Sequence, residues 1–265
     1  MAPRRAYTPS AAGVEDARTM LHTLGLERVV LVQPSVYGSD NRCLLDGLRA
    51  FGARARGVVV IGEETGAEEL RDLHAQGVRG VRLNAVSGGP LDRDLLAGQV
   101  CALADRIAPL GWHLQLYFPS GLLARLEPVL EVLEVATVLD HMAGLPVAAG
   151  RERDAWRPLL RLLASGRVWV KLSAPYRLPG ADQGPEALRT LAQTLVAARP
   201  DRMLWGSDWP HTPAHASAAD AAPPRQPFRA VDTGRLLDRL VEWAPDAAVR
   251  RLILVDNPAH LYGYD

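Results

Sequence analysis

Cysteine is nearly absent: Cys43 and Cys101 are the only two in 265 residues. They can close at most one bridge, so a disulfide framework is excluded. No apolar leader follows Met1, and the two facts together predict a reducing, cytoplasmic setting. Both cysteines fall in helix-sized segments without a histidine at catalytic spacing and are expected in the core. No run of eighteen apolar residues occurs, which excludes a membrane-spanning helix. Neither sign of charge dominates, with 30 basic against 30 acidic side chains. A nucleic-acid partner or an anionic membrane surface would need a positive field that this balance does not supply.

Nucleotide signatures are also missing. No G-x-G-x-x-G follows a strand, and no G-x-x-x-x-G-K-[ST] occurs. Among the 7 histidines there is no His-x-His pair. His113, His141, His211 and Asp208 remain as metal donors, but nothing in the sequence groups them. No cofactor is therefore expected; a divalent metal such as zinc stays open but is not indicated.

What is present is alternation. Short apolar runs suited to buried strands are Arg28–Gln33, Gly57–Ile61, Gly80–Leu83, Trp112–Tyr117, Ala136–Asp140, Val168–Leu172 and Arg202–Trp205. Between and after them lie helix-sized segments at Asn41–Phe51, Ala67–Gln76, Leu91–Leu110, Gly121–Leu133, Arg153–Ala164, Pro185–Ala198 and Asp232–Trp243. Near-continuous apolar strands separated by helices predict a parallel sheet covered by helices. Polar residues at the C-terminal ends of nearly every strand favour an α/β fold of the (β/α)8 TIM-barrel type. A doubly wound sheet would gather them at one switch point.

The count falls one short. Seven strands are evident, and the first periodic segment, about 14–24, reads as a helix. The residues before it are rich in proline and arginine and do not read as a buried strand. Val249–Val255 reads as part of a terminal helix. The expectation is one domain over residues 1–265, an incomplete barrel without its first strand. The Pro- and Ala-rich stretch Trp209–Arg229 is either a cover over the mouth or a surface insertion.

Several strand-end residues could do chemistry. Asp208, in the run WGSDWPH, can accept a proton from water or cap the next turn. His141 follows Asp140 at another strand end. Alternation forbids both from facing the mouth while the strand stays regular. His113, Gln115 and Tyr117 share one face of a buried strand, which predicts a polar interior. Arg82 and Arg177 offer paired donors, either to an acidic organic substrate or to strand-end carboxylates. Ser35 is placed to touch a ligand, while Asp40 or Asn41 reads as a helix cap.

The segments QPSVYGSDN (33–41), RGVRLN (79–84), GWHLQLY (111–117), VLDHM (138–142), VWVKLSAPYR (168–177), PDRMLWGSDWPH (200–211) and LVDNPAHLYG (254–263) resemble the amidohydrolase-related family. Within that metal-dependent hydrolase superfamily the chain is most similar to 2-pyrone-4,6-dicarboxylate lactonase-like hydrolases. The resemblance implies a hydrolase that opens a small carboxylated lactone without requiring a metal. It implies Asp208 as general base and His141 as the group that polarises the carbonyl. It further implies that Arg82, Arg177, Tyr117, Ser35 and Tyr7 contact the substrate. Alternatives are a decarboxylase or hydratase of the same superfamily, or an inactive barrel that only binds a small molecule. The family often carries Gly-Arg directly after Asp-His-Met, where this chain has Ala143-Gly144. Near Gly88 a further basic residue of the lactonase is also absent.

Overall fold

The computed structural model describes residues 1–3, 5–87, 95–147, 154–213 and 223–264. A two-residue strand β1 (Thr8–Pro9) and helix α1 (Val14–Thr23) precede β2 (Val29–Val32). Alternation then runs α2 (Arg42–Phe51), β3 (Ala55–Val59), α3 (Ala67–Ala75), β4 (Val78–Asn84), α4 (Leu96–Ile107) and β5 (His113–Tyr117). It continues with α5 (Leu123–Val132), β6 (Thr137–Leu139), α6 (Arg157–Ser165), β7 (Val168–Ser173), α7 (Pro185–Ala198) and β8 (Met203–Gly206). A short β9 (Arg225–Gln226) and helices α8 (Thr233–Trp243), α9 (Ala247–Arg251) and α10 (Asn257–Tyr262) follow.

All seven expected strands are present, and they pair in parallel in chain order from β2 to β8. Each connection carries a helix, as parallel strands require. β1 pairs only with β9, so it is not the missing barrel strand. Among the described residues no strand covers the outer edge of β2 or β8. Residues 88–89 and 91–94, Arg153, and 214–222 of the late coil lie outside the described residues.

Helix α6 illustrates why the segments are helical. Pro158 stands in its first turn, where a missing N–H costs nothing, and Gly166 ends it at φ 75°. Leu159, Leu162 and Leu163 recur at i, i+3 and i+4, and all three are fully buried. Each contributes roughly 1.5–3 kcal/mol on burial. The sheet curls. Val58 of β3, Val138 of β6, Trp169 of β7 and Leu204 of β8 meet in one interior cluster with Tyr262. Residues of non-neighbouring strands can meet this way only if the sheet wraps around them. The fold is an incomplete (β/α)8-type barrel.

The chain end closes the base of the gap. The Tyr264 hydroxyl donates to the Val29 carbonyl on one free edge at 2.7 Å. Asn257 Nδ2 donates to Met203 O at the other edge at 2.8 Å. The same segment therefore bridges β2 and β8 where the missing strand would begin.

One local expectation is corrected. Cys43 is exposed and Cys101 only half-buried, because both lie off the apolar stripes of α2 and α4. Of the two cap candidates, Asp40 Oδ1 accepts from the Arg42 N–H at 3.3 Å, while the Asn41 side chain does not cap α2. Its amide instead pairs with both the N–H and the carbonyl of Val60, tying β3's end to the loop. No helix among the described residues is long and apolar enough to cross a membrane.

Candidate active site

Backbone strain marks one end of the barrel. Among the described residues, the non-glycine positions with left-handed φ are His141, Met142, Ala143, Ala174, Asp208 and His211. All follow the C-terminal ends of β6, β7 or β8. Such conformations cost about 1–3 kcal/mol each and persist where the surroundings fix them, often at functional sites.

The turn after β6 explains how Asp140 and His141 both reach the mouth. The strand stops at Leu139, Asp140 stays extended, and the chain then winds through positive φ from His141 to Gly144. Alternation ends with the strand, so the expected conflict between neighbours does not arise. Gly144 sits at φ +63°, and a Cβ there would approach Phe118 O at 3.2 Å.

Asp140 is the hub beneath the mouth. Arg82 Nη2 lies 3.1 Å from its Oδ2, and Lys171 Nζ lies 3.2 Å from its Oδ1. Gln115 Nε2 donates to both oxygens at 3.0 and 2.9 Å, and Gln115 Oε1 accepts from Lys171 Nζ at 2.7 Å. Burial alone would raise the Asp140 carboxyl, but Lys171 and Arg82 hold it well below the usual carboxylate range. Burial pulls the Lys171 ammonium down, and Asp140 opposes that pull. Of this hub, the sequence singled out Arg82 and the polar face containing Gln115, while Asp140 and Lys171 stood out only as polar strand-end residues without a role.

Asp208 stands beside this hub. Its Oδ2 accepts from Tyr176 Oη at 2.6 Å and from Arg177 Nε at 2.8 Å. Its Oδ1 lies 3.8 Å from His141 Nε2, too far for a hydrogen bond. Burial would raise this carboxyl, but His141, Arg177 and the two donated hydrogen bonds lower it. His141 is itself pulled down by burial, against Asp208 and Asp140. The pair is a carboxylate facing a neutral imidazole.

The tautomer of His141 follows from its partners. Nδ1 lies 2.9 Å from Ser173 Oγ, and Nε2 faces the Asp208 carboxylate. A lone pair on Nε2 would point at negative charge. The proton therefore belongs on Nε2, with the Ser173 hydroxyl donating to Nδ1.

Of the residues singled out in the sequence, five converge. Tyr117 packs edge-on against His141 with ring centroids 4.8 Å apart. Arg82 lies 5.7 Å from the Tyr117 centroid. Asp208, His141 and Arg177 complete the group. Both arginines are ion-paired with the chain's own carboxylates, which was one of the two roles open to them. Arg177 Nη2 also donates to the Thr212 side chain and carbonyl. Its Nη1 has no hydrogen-bond partner among the described residues. Ser35 stands farther round the rim, 3.1 Å from Ser87 Oγ, which accepts in turn from Asn84 Nδ2. Tyr7 is 2% exposed and packs with Ala6 and Val36 in a separate small cluster. Tyr176, which reaches Asp208 directly, was missed because only its neighbour Arg177 carries a charge.

Among the described residues a metal of the kind the resemblance brings up finds no fitting donor set. Among the described residues no three His, Cys, Asp or Glu side chains converge. Both ring nitrogens of His211 face Tyr176 and Thr233, and His113 begins β5 at the opposite end. His141 and Asp208 alone fall short of the three protein ligands a catalytic zinc takes.

The amidohydrolase family profile matches residues 1–264. A 2-pyrone-4,6-dicarboxylate hydrolase of Comamonas testosteroni is 35% identical, covering 98% of this chain and 84% of that protein. A 4-sulfomuconolactone hydrolase of Rhizobium radiobacter is 34% identical, covering 99% of this chain and 84% of that protein. A Pseudomonas putida structure described as a 2-pyrone-4,6-dicarboxylic acid hydrolase superposes with a TM-score of 0.82 at 31% identity. That match covers 98% of this chain and 91% of the other. With this curled sheet and this mouth, the chain belongs to the amidohydrolase family, beside its lactone-opening hydrolases.

Proposed function

We propose that the chain hydrolyses a small carboxylated lactone, with Asp208 as general base and His141 as the donor to the carbonyl. The observation that carries this reading is the facing pair, Asp208 Oδ1 and His141 Nε2, 3.8 Å apart. One atom is a basic oxygen with no hydrogen bond among the described residues, the other a neutral N–H. A water held by Oδ1 and a carbonyl oxygen held by Nε2–H would meet between them. Water's oxygen bonds to the carbonyl carbon while Asp208 takes its proton. His141 Nε2–H stabilises the oxyanion that forms. Collapse breaks the ring C–O bond, and the proton on Asp208 passes to the departing oxygen, leaving a ring-opened carboxylic acid that releases its remaining proton to solvent.

Charge supports an anionic substrate. Arg82, Lys171 and Arg177 bring three cations to this end, and Asp140 and Asp208 bring two anions. Three minus two leaves one net positive charge while both histidines are neutral. Arg177 Nη1, without a hydrogen-bond partner among the described residues, is the donor that could meet a carboxylate. The two relatives named above act on lactones, one of them a dicarboxylate.

The test is turnover of 2-pyrone-4,6-dicarboxylate and related carboxylated lactones, followed by loss of the ring's absorbance. Wild type should open at least one of them. Asp208→Asn should lose about 10²–10⁴-fold, the usual contribution of a positioned general base. Unchanged turnover in Asp208→Asn would overturn the assignment.

A further inference from the structure

A second row of hydrogen bonds leads away from Asp208. Tyr176 Oη lies 2.9 Å from His211 Nδ1, and His211 Nε2 lies 2.8 Å from Thr233 Oγ1. Proton counting fixes the direction of each bond. Tyr176 has one hydroxyl proton, and at 2.6 Å from the Asp208 carboxylate it points there. The phenolic oxygen must then accept from His211, so Nδ1 carries the imidazole proton. His211 Nε2 is left as an acceptor, and the Thr233 hydroxyl donates to it. Burial keeps His211 neutral against the pull of Asp208, and burial with Asp208 keeps the Tyr176 hydroxyl protonated.

The backbone holds this row rigidly. His211 N–H donates to Asp208 O at 2.8 Å, closing the turn that carries both. Thr233 opens helix α8, whose N-terminus is capped by the Asp232 side chain. The end of β8 is thus registered against the first turn of α8.

We propose that Tyr176, His211 and Thr233 are positioning residues that lock Asp208, saturating Oδ2 so that Oδ1 alone stays basic. Thr233 decides the tautomer at the far end. Without its donor, His211 can move its proton to Nε2, and Nδ1 then competes with Asp208 for the Tyr176 hydroxyl. The role of Asp208 as base is taken from the reading above; the lock itself is a property of the resting protein.

Other groups facing Asp208 are His141 after β6, Arg177 after β7, and Tyr117 and Lys171 from β5 and β7. Arg229 lies over the Tyr176 ring at 5.4 Å. None of these changes in the variants below, so a shift in Asp208 reports on the lock.

The experiment is a carbon-13 titration of the Asp208 carboxyl in the full chain, its resonance assigned by loss in Asp208→Asn. Tyr176→Phe removes a donor to the charged form and should raise the midpoint by roughly one pH unit. Thr233→Val should raise it less, and Thr233→Ser should restore the wild-type value. Nitrogen-15 spectra of the imidazoles should place the His211 proton on Nδ1 in wild type and redistribute it in Thr233→Val. With 2-pyrone-4,6-dicarboxylate, the acidic limb of kcat/KM should move upward in the same order. An unmoved midpoint in Tyr176→Phe, or identical behaviour of Thr233→Val and Thr233→Ser, overturns the lock. Asp208→Asn that keeps full turnover would overturn the base instead, leaving the titration result standing.

Discussion

His141 and His113 occupy opposite ends of the same barrel, and they have little in common beyond burial. At the mouth, His141 has Ser173 on one nitrogen and faces Asp208 with the other. At the base, neither buried ring nitrogen of His113 makes a well-formed hydrogen bond among the described residues, the Arg79 backbone offering only a weak one. Its ring lies against Gly80, where a Cβ would stand 2.3 Å from it, and edge-on to Tyr262 at 5.2 Å. A cavity of about 520 Å³ opens at that end, lined among others by Trp112, Trp169 and His260. No polar network comparable to the mouth's converges there among the described residues. The contrast separates a histidine set up for proton chemistry from one used for its shape. Partners, more than burial, distinguish them.

Several changes would break or sharpen this contrast. The largest effect belongs to the hub under the mouth. Asp140→Ala leaves Lys171 and Arg82 buried without their counter-charge and should cost about 3–5 kcal/mol of stability, read by urea denaturation. Next is the same substitution at both ends. His141→Leu removes the proposed oxyanion donor and should lower kcat about 10²–10³-fold on a lactone substrate. His113→Leu should leave turnover intact and stability unchanged or higher, because it deletes polar atoms that make no well-formed hydrogen bond. If both substitutions abolish turnover equally, the distinction between the two ends fails.

The smallest effect concerns acid. Burial, with Lys171 adding to it, depresses the His113 pKa to about 3, from an ordinary 6.5. A histidine depressed on folding takes up its proton first in the unfolded chain. Its contribution is complete above pH 6.5 and is lost progressively as pH falls from there towards about 3. His113→Leu should therefore resist acid unfolding better than wild type, as measured by circular dichroism between those limits. An acid midpoint that does not move would mean that the ring finds a partner.

The strands were legible because parallel strands buried on both faces read as continuous apolar runs. Their ends were legible because Asp208, His141, Arg82 and Arg177 interrupt those runs with charge or imidazole. Asp140 was hidden by a rule that holds only inside a strand, and β6 stops one residue before it. Tyr176 and Thr233 gave no signal, since a tyrosine after a strand and a threonine opening a helix both have many ordinary structural roles. What made them part of the site is the fold, which brings the end of β8 against the start of α8. The roles of the arginines needed distances, because a guanidinium suits a substrate carboxylate and a protein carboxylate equally.

The turn from His141 to Gly144 bears on which of its positions can carry a side chain. Where the resemblance implies Gly-Arg, this chain has Ala143-Gly144. Alanine already occupies left-handed backbone at position 143. An arginine at 144 would take on the same conformation, at about 1–2 kcal/mol, and press its Cβ toward the Phe118 carbonyl. The turn as folded therefore admits a side chain at 143 and resists one at 144.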